Sequence, residues 1–385
     1  MIPAKPRILF YVQHLLGIGH LKRAALISNA LERAGMEVHL VQGGAQSPIS
    51  FPCAQTHYLP SISCQDANFS TLVDAEQQPV DDHYRARRRA QLLEIEATVR
   101  PDLLLLELYP FGRRQFRFEL LPLISQVKSK NIPVVCSLRD ILVQKPLSKQ
   151  HRSQESADLV QRFFDAVLVH SDPTVIRLED SFPFASQIQD KLRYTGYVAD
   201  IASPPPARQP RLGVTVSAGG GAVGYPLLRA ILQSKPATKL DDQPWTLITG
   251  PGLDAQLFDQ LQQQGRTHNV SVERFREDFA SLLASSNLSI SQAGYNTTMD
   301  ILATRTPALV IPYSEGGETE QLQRSEILQR HGYLRLLPES SLTQQQLVAA
   351  INGAATQAPP TSAIDLNGAD ASAQQLLNIL QGWGL

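Results

Sequence analysis

Three stretches of this sequence combine glycine, small hydroxylated residues and charge in an order suited to holding an anion. Gly17-Ile-Gly-His-Leu-Lys22 lies between an apolar strand-like run and a helical pattern, so Gly17, Gly19 and His20 stand where backbone N–H groups meet the positive end of a helix. Ser217-Ala-Gly-Gly-Gly-Ala-Val-Gly224 sets Gly219, Gly220 and Gly221 in succession, so main-chain amides can approach a ligand with no side chain in the way. A diphosphate fits such a cradle. Leu288-Ser-Ile-Ser-Gln-Ala-Gly-Tyr-Asn-Thr-Thr-Met-Asp300 joins a strand to a helix at Gly294. The small and hydroxylated residues there, from Ser291 onward, can donate to phosphate oxygens, and Asp300, nearly two turns on, can accept from two vicinal ribose hydroxyls. Glu315-Gly-Gly-Glu-Thr-Glu-Gln321 then supplies acceptors and an amide for a hydroxyl-rich ligand. Each stretch also has a plainer reading. These are a tight turn with His20 near a helix N-terminus, a glycine connection, a solvated Asp300, and Glu318 and Glu320 as favourable charge in a first helical turn.

Two further clusters follow apolar runs: Leu106-Glu-Leu-Tyr-Pro-Phe-Gly-Arg-Arg114 and Ser137-Leu-Arg-Asp140. Carboxyl ends of parallel strands open into the binding crevice, so Glu107, Arg113, Arg139 and Asp140 can hold a second substrate or supply a base; alternatively they form an internal Arg–carboxylate network that orders loops. Other chemistries fit poorly. The first glycine loop has Lys22 where a dinucleotide fingerprint needs a third glycine, and no acid follows the second strand-like run to take a ribose. Neither G-x-x-x-x-G-K-[ST], H-E-x-x-H nor G-x-S-x-G occurs. Cys53, Cys64 and Cys136 form no C-x-x-C pair and have no histidine at ligand spacing, so neither a structural metal nor a disulfide framework is expected.

The elements that must carry these loops repeat a βα theme. Arg7–Val12 reads as a buried parallel strand, Leu21, Ala24, Ala25, Ser28 and Leu31 as one face of a helix that Gly35 ends, and Glu37–Val41 as the next strand. Strands are expected at 103–108, 132–138 and 166–170, giving a doubly wound sheet. Ser203-Pro-Pro-Pro-Ala-Arg-Gln-Pro210 cannot continue a helix or a central strand, because proline removes donors and fixes φ. After it the pattern restarts, with strands at 212–217, 245–249, 270–273, 288–291 and 308–311 and a final helix at 370–380. The organisation expected is a Rossmann-like domain over 1–200, a linker over 201–211, a second Rossmann-like domain over 212–369 facing the first across a cleft, and a terminal helix over 370–385 that folds back on the first. A chain of 385 residues is long enough for two such cores.

Charge narrows the partners. Lys plus Arg (35) balances Asp plus Glu (36), which leaves no net field for a nucleic-acid backbone. The first apolar run is too short to cross a bilayer, so a cytoplasmic protein without signal peptide or span is expected. Arg85, Arg87, Arg88 and Arg89 read either as a solvated helix face or as a peripheral contact with a lipid-phosphate surface at the inner face of the membrane.

In order along nearly the whole chain, the loop from Gly17 to Lys22, the glycine loop at 217, Ser291 to Asp300 and Glu320-Gln321 resemble the MurG-type N-acetylglucosaminyltransferases of glycosyltransferase family 28 and their cytoplasmic relatives. The resemblance implies a GT-B fold, two doubly wound α/β domains, and a nucleotide-diphosphate sugar as donor, here a UDP-sugar. It implies that Gly219 to Gly221 with Gly294, Asn296 and Thr297 surround the diphosphate, that Asp300 holds the ribose, and that Phe275 lies where the base is seated. Glu320 and Gln321 would read the sugar, and His20 matches the loop histidine facing the reaction centre. The sequence departs from the family in one fewer glycine before that histidine, in Glu rather than Gln at 320, and in Arg324 where Asn is common.

The expected reaction is inverting displacement at the anomeric carbon with an unassigned hydroxyl acceptor. His20 is the first candidate base because an imidazole can be neutral at physiological pH, with Glu107 and Asp140 in reserve. Glycine-loop amides and helix N-termini would stabilise the leaving diphosphate, so neither metal nor cofactor is expected. A nucleotide-sugar epimerase or hydrolase, or a non-catalytic sugar-nucleotide-binding protein, are the rival readings.

Overall fold

The computed structural model describes residues 5–15, 19–45, 49, 51, 55–64, 71–143, 148, 150–200, 210–219, 224–313, 319–357 and 363–384. Gly17, Cys53, the proline segment up to 209, Gly220, Gly221, Glu315, Glu318, Pro359 and Pro360 lie outside them. The chain divides into two units, Met1–Val198 with Asp365–Leu385, and Ala199–Ile364.

In the first unit, strands β1 (Arg7–Val12), β2 (Glu37–Gln42), β3 (Gln55–Tyr58), β6 (Leu103–Glu107), β7 (Val134–Arg139), β8 (Ala166–His170) and β9 (Leu192–Tyr194) form one sheet. The two-residue strands β4 (Ser63–Cys64) and β5 (Leu72–Val73) pair separately. The main sheet runs in the order β3-β2-β1-β6-β7-β8-β9, and all its pairs are parallel. Helices α1 (Gly19–Arg33), α2 (Asp82–Val99), α3 (Arg117–Ser129) and α4 (His151–Phe163) cover it. Because both faces are covered, the central strands are continuously apolar: Leu-Leu-Leu-Leu-Glu of β6 is buried throughout. β6 ends at Glu107, one residue before the apolar run suggests, because Leu108 takes a left-handed φ of 67° that turns the chain out of the sheet.

The second unit holds β10 (Val214–Ser217), β11 (Trp245–Ile248), β12 (Val270–Glu273), β13 (Leu288–Ser291), β14 (Ala308–Val310) and β15 (Arg335–Leu336). Their order is β12-β11-β10-β13-β14-β15, again all parallel. The helices here are α5 (Tyr225–Ser234), α6 (Ala255–Thr267), α7 (Phe279–Ser285), α8 (Tyr295–Thr304), α9 (Glu320–Arg330) and α10 (Gln344–Ala354). β10 begins at Val214 rather than Leu212: Gly213 sits at φ 82° and Leu212 is exposed. A core around Val216, Leu228, Trp245, Ile290, Leu309 and Ile351 serves this unit alone.

The last helix, α11 (Gly368–Gly382), belongs to the first unit. Its Ala373, Leu376 and Leu380 join the core formed by Leu21, Ala24, Ile27 and Leu31 of α1, and Arg33 pairs with Asp370 at 2.7 Å. Among the described residues no helix is long and apolar enough to cross a membrane.

The arginine run on α2 requires a correction. Arg88 is not part of a solvated or membrane-facing surface; it is fully buried and paired with the equally buried Glu119 at 2.7 Å. Its guanidinium also donates to the carbonyl oxygens of Gly43 (2.7 Å) and Pro60 (2.5 Å) and to Gln13 Oε1 (2.5 Å). A planar five-donor group can satisfy so many acceptors at once, which is why an arginine is tolerated there. Of its neighbours, Arg85 pairs with Asp82 at 3.0 Å and Arg87 lies over the Tyr84 ring.

Candidate active site

Each sheet changes winding direction once, and ligands of open α/β sheets bind outside the strand carboxyl ends at such a point. In the second unit the change falls between β10 and β13, where Ser217 and Ser291 are in register. Both side chains are buried, and among the described residues neither hydroxyl has a hydrogen-bond partner; the same holds for Thr298 on α8. Buried hydroxyls without partners cost stability unless a ligand or water meets them.

Gly219 and Gly294 complete this region. Gly219 follows β10 at φ 72°, a left-handed conformation that favours glycine, and a Cβ there would meet nothing within 4 Å. Gly294 is the N-cap of α8, has the same open space, and as a glycine supplies no side-chain cap of its own. Asn296 and Thr297 stand in that half-buried first turn. Asp300, in the second turn of α8, is 4% exposed and so is not a solvated helix residue.

At the start of α9, Glu320 is buried and bonds Arg324 at 2.5 Å, while the Arg324 guanidinium lies 5.2 Å from the Tyr295 ring centre. Glu320 and Arg324 thus pair with each other one turn apart on one helix. Charge in a first helical turn is therefore an incomplete description of Glu320. Gln321 Oε1 accepts from the Tyr313 N–H at 3.2 Å. Phe275, just beyond β12, is 63% exposed, an unusual setting for a ring of that size.

In the first unit the winding changes between β1 and β6, which brings the start of α1 beside the end of β6. His20 Nδ1 lies 3.0 Å from Glu107 Oε1, and the same oxygen accepts from Arg23. Arg23 Nη2 also lies 3.2 Å from Nδ1, but the shorter contact is to the carboxylate, which only accepts, so Nδ1 carries the hydrogen and Nε2 keeps its lone pair. The His20 side chain is 16% exposed, whereas Glu107 is 1% exposed. Burial is the main force that lowers the His20 pKa, to about 3; the Arg113 and Arg23 charges push the same way, against the Glu107 hydrogen bond and charge. Glu107 is held well below the usual carboxylate range: burial opposes this, but Arg23, His20 and Ser137 outweigh it. The imidazole is therefore neutral and its partner ionised.

The remaining candidates frame this pair. Asp140 is fully buried just beyond β7. Arg113, at φ 59°, donates from Nε to the Gln13 carbonyl at 2.6 Å and braces the segment after β1. Arg139 lines a cavity of about 420 Å³ whose walls include Leu108, Phe111, Leu142 and Phe182. Sequence reasoning missed Arg23, Ser137 and His170. Arg23 lies one turn after His20 on the same helix face, and Ser137 and His170 are polar residues near the ends of otherwise largely apolar strands, which was the available signal.

Comparison with known proteins agrees with the two-unit α/β fold. Residues 215–375 match the glycosyltransferase family 28 C-terminal domain. An uncharacterized glycosyltransferase of Methanosarcina mazei is 23% identical over 344 residues, covering 84% of each chain. The UDP-N-acetylglucosamine--N-acetylmuramyl-(pentapeptide) pyrophosphoryl-undecaprenol N-acetylglucosamine transferase of Staphylococcus epidermidis is 29% identical over 134 residues, 34% of this chain and 36% of that protein. Among solved structures, Acinetobacter baumannii MurG superposes with a TM-score of 0.58 at 13% identity, covering 98% of this chain and 100% of that one. CalG4, the calicheamicin glycosyltransferase, gives 0.61 at 13% identity over 98% and 95%. The chain is a glycosyltransferase of GT-B architecture whose second half carries the family 28 C-terminal domain.

Proposed function

We propose that this enzyme moves a sugar from a UDP-sugar to a hydroxyl acceptor with inversion at the anomeric carbon, without metal or cofactor, and that His20 is the general base. The observation that carries the reading is the 3.0 Å contact between His20 Nδ1 and Glu107, which leaves Nε2 unprotonated on a partly exposed ring. Glu107 and Asp140 are buried, so neither competes as the group that meets an acceptor. In the reaction the acceptor O–H passes its proton to Nε2 as its oxygen bonds to the anomeric carbon. The bond from that carbon to the diphosphate oxygen breaks, and the electron pair leaves with UDP. His20⁺ is then stabilised by the Glu107 carboxylate at Nδ1.

Amides near Gly219 and the first turn of α8 take up the charge growing on the departing diphosphate, with Ser217 and Ser291 as hydroxyl donors. Asp300 accepts from the ribose and the exposed Phe275 ring packs on the base. Gln321, with Glu320 neutralised by Arg324, reads the sugar. Arg139 and its cavity, with Arg113 bracing the loop, take the acceptor. The name of the Staphylococcus relative, a UDP-N-acetylglucosamine transferase, supports UDP-GlcNAc as the first donor to try.

The test measures UDP release from UDP-GlcNAc with EDTA present, with and without a fractionated cell extract as the source of acceptor. Acceptor-dependent release that falls about 10²- to 10⁴-fold in His20→Ala, with unchanged UDP affinity, is expected. Rapid turnover with no acceptor would instead indicate a nucleotide-sugar hydrolase or epimerase.

A further inference from the structure

We infer that Ser137, His170 and Thr195 are positioning residues for the transfer, a buried hydrogen-bonded chain that fixes the Glu107 carboxylate and through it the orientation of His20. The inference rests on the reading of His20 as the base. Ser137 Oγ lies 2.7 Å from Glu107 Oε2 and 2.9 Å from His170 Nε2, and His170 Nδ1 lies 2.9 Å from Thr195 Oγ1. The chain thus crosses the carboxyl ends of three neighbouring strands, β6, β7 and β8, and ends just beyond β9. Ser137 and His170 are fully buried and Thr195 is 2% exposed, so none of them can touch a substrate.

The direction of each bond follows from the carboxylate. Glu107 can only accept, so the Ser137 hydroxyl donates to Oε2 and its oxygen receives the His170 Nε2–H. A neutral His170 then has a bare Nδ1, which turns the Thr195 hydroxyl toward it in preference to the Gly196 carbonyl at 3.0 Å. Burial lowers the His170 pKa to about 3, assisted by the Arg23 charge, consistent with a neutral ring. Every hydrogen in the chain therefore points toward Glu107. Such polarised chains strengthen each member in a low-dielectric interior. The carboxylate is gripped at both oxygens, by Ser137 on one and by Arg23 and His20 on the other. Held in place, it keeps an acceptor oxygen 3.0 Å from His20 Nδ1, closer than the competing Arg23 Nη2 donor at 3.2 Å, and so favours the tautomer with its hydrogen on Nδ1. A polar cluster present only for packing would leave the tautomer of His20 indifferent to Ser137.

The experiment is nitrogen-15 NMR of the full-length protein labelled at histidine, with assignment from His20→Ala and His170→Asn spectra. It needs neither donor nor acceptor, so its failure is distinct from failure of the transferase reading. Wild type is expected to show His20 solely with its hydrogen on Nδ1. Ser137→Ala should mix the two tautomers, Ser137→Thr should restore the wild-type signature, and the near-isosteric Thr195→Val should shift the population in the same direction as Ser137→Ala. Where acceptor turnover can be measured, Ser137→Ala should lower kcat about 10- to 100-fold, as loss of an orienting partner does, at unchanged donor affinity. A His20 that stays purely Nδ1–H in folded Ser137→Ala and Thr195→Val proteins would overturn the inference. A wild-type His20 carrying its hydrogen on Nε2 would overturn it equally.

Discussion

At the level of single residues, burial and neighbouring charge keep the His20 imidazole neutral, the state that the base proposed above requires. An ordinary imidazole titrates near pH 6.5 and would be half lost to protonation in mildly acidic solution. Burial and the nearby guanidinium groups lower His20 to about 3. Because the shift is downward, the unprotonated form persists as pH falls, and protonation becomes significant only near the lowered value. The rate constant kcat/KM should therefore show no acid limb between pH 7 and pH 5. Initial rates across that range with acceptor well below saturation supply the check, and a tenfold decline centred near pH 6.5 would overturn the lowered His20 value, since it is what an ordinary imidazole base would give. The residues that create this state were only partly legible. His20 and Glu107 each stood beside a strand–loop junction, but nothing local tied them together, because they are far apart in sequence and meet only where β1 and β6 are neighbours.

Among the elements, α2 shows how a helix face is chosen by its partners. Four arginines in five positions, Arg85 and Arg87 to Arg89, read as one charged surface, yet Arg88 points into the core toward Glu119 of α3 and the segments after β1 and β2. Removing one member of a buried pair leaves the other charge without compensation, which costs about 3–5 kcal/mol. Arg88→Met should accordingly lower the unfolding free energy of the first unit by about that amount, and adding Glu119→Leu should recover part of the loss. Urea melts followed on Trp383 in a Trp245→Phe background isolate the first unit. A single mutant as stable as the parent would mean that the pair contributes nothing. The same logic applies to Glu320 and Arg324, a buried pair one turn apart on α9.

For the whole molecule, cores that are not shared between the two units imply separable losses. Asp300→Ala should weaken UDP binding by about 1–3 kcal/mol, the range for losing a hydrogen bond to a charged group, without disturbing the first unit. Gly294→Ala is a sharper probe, because φ at this position is −59° and a Cβ meets no atom within 4 Å, so the variant should fold normally. If phosphate oxygens occupy that space, the added methyl must still weaken UDP binding. Calorimetry on both variants decides the matter, and normal affinity in both would take the diphosphate away from α8.

The sequence by itself determined the central strands of both sheets, though not the short strands β3, β9 and β15, together with the two-unit α/β plan and the glycine and hydroxyl-rich strand–helix junctions. These follow from local rules: apolar runs make buried parallel strands, period-3.6 patterns make helices, and glycine turns open their N-termini. Tertiary structure alone decided which charges face each other. Arg88 against Glu119, His20 against Glu107, and the chain from Glu107 through Ser137 to His170 all depend on strand order. A run such as Ala-Val-Leu-Val-His predicts a strand that ends in a polar residue, but carries no record of which strand will lie beside it.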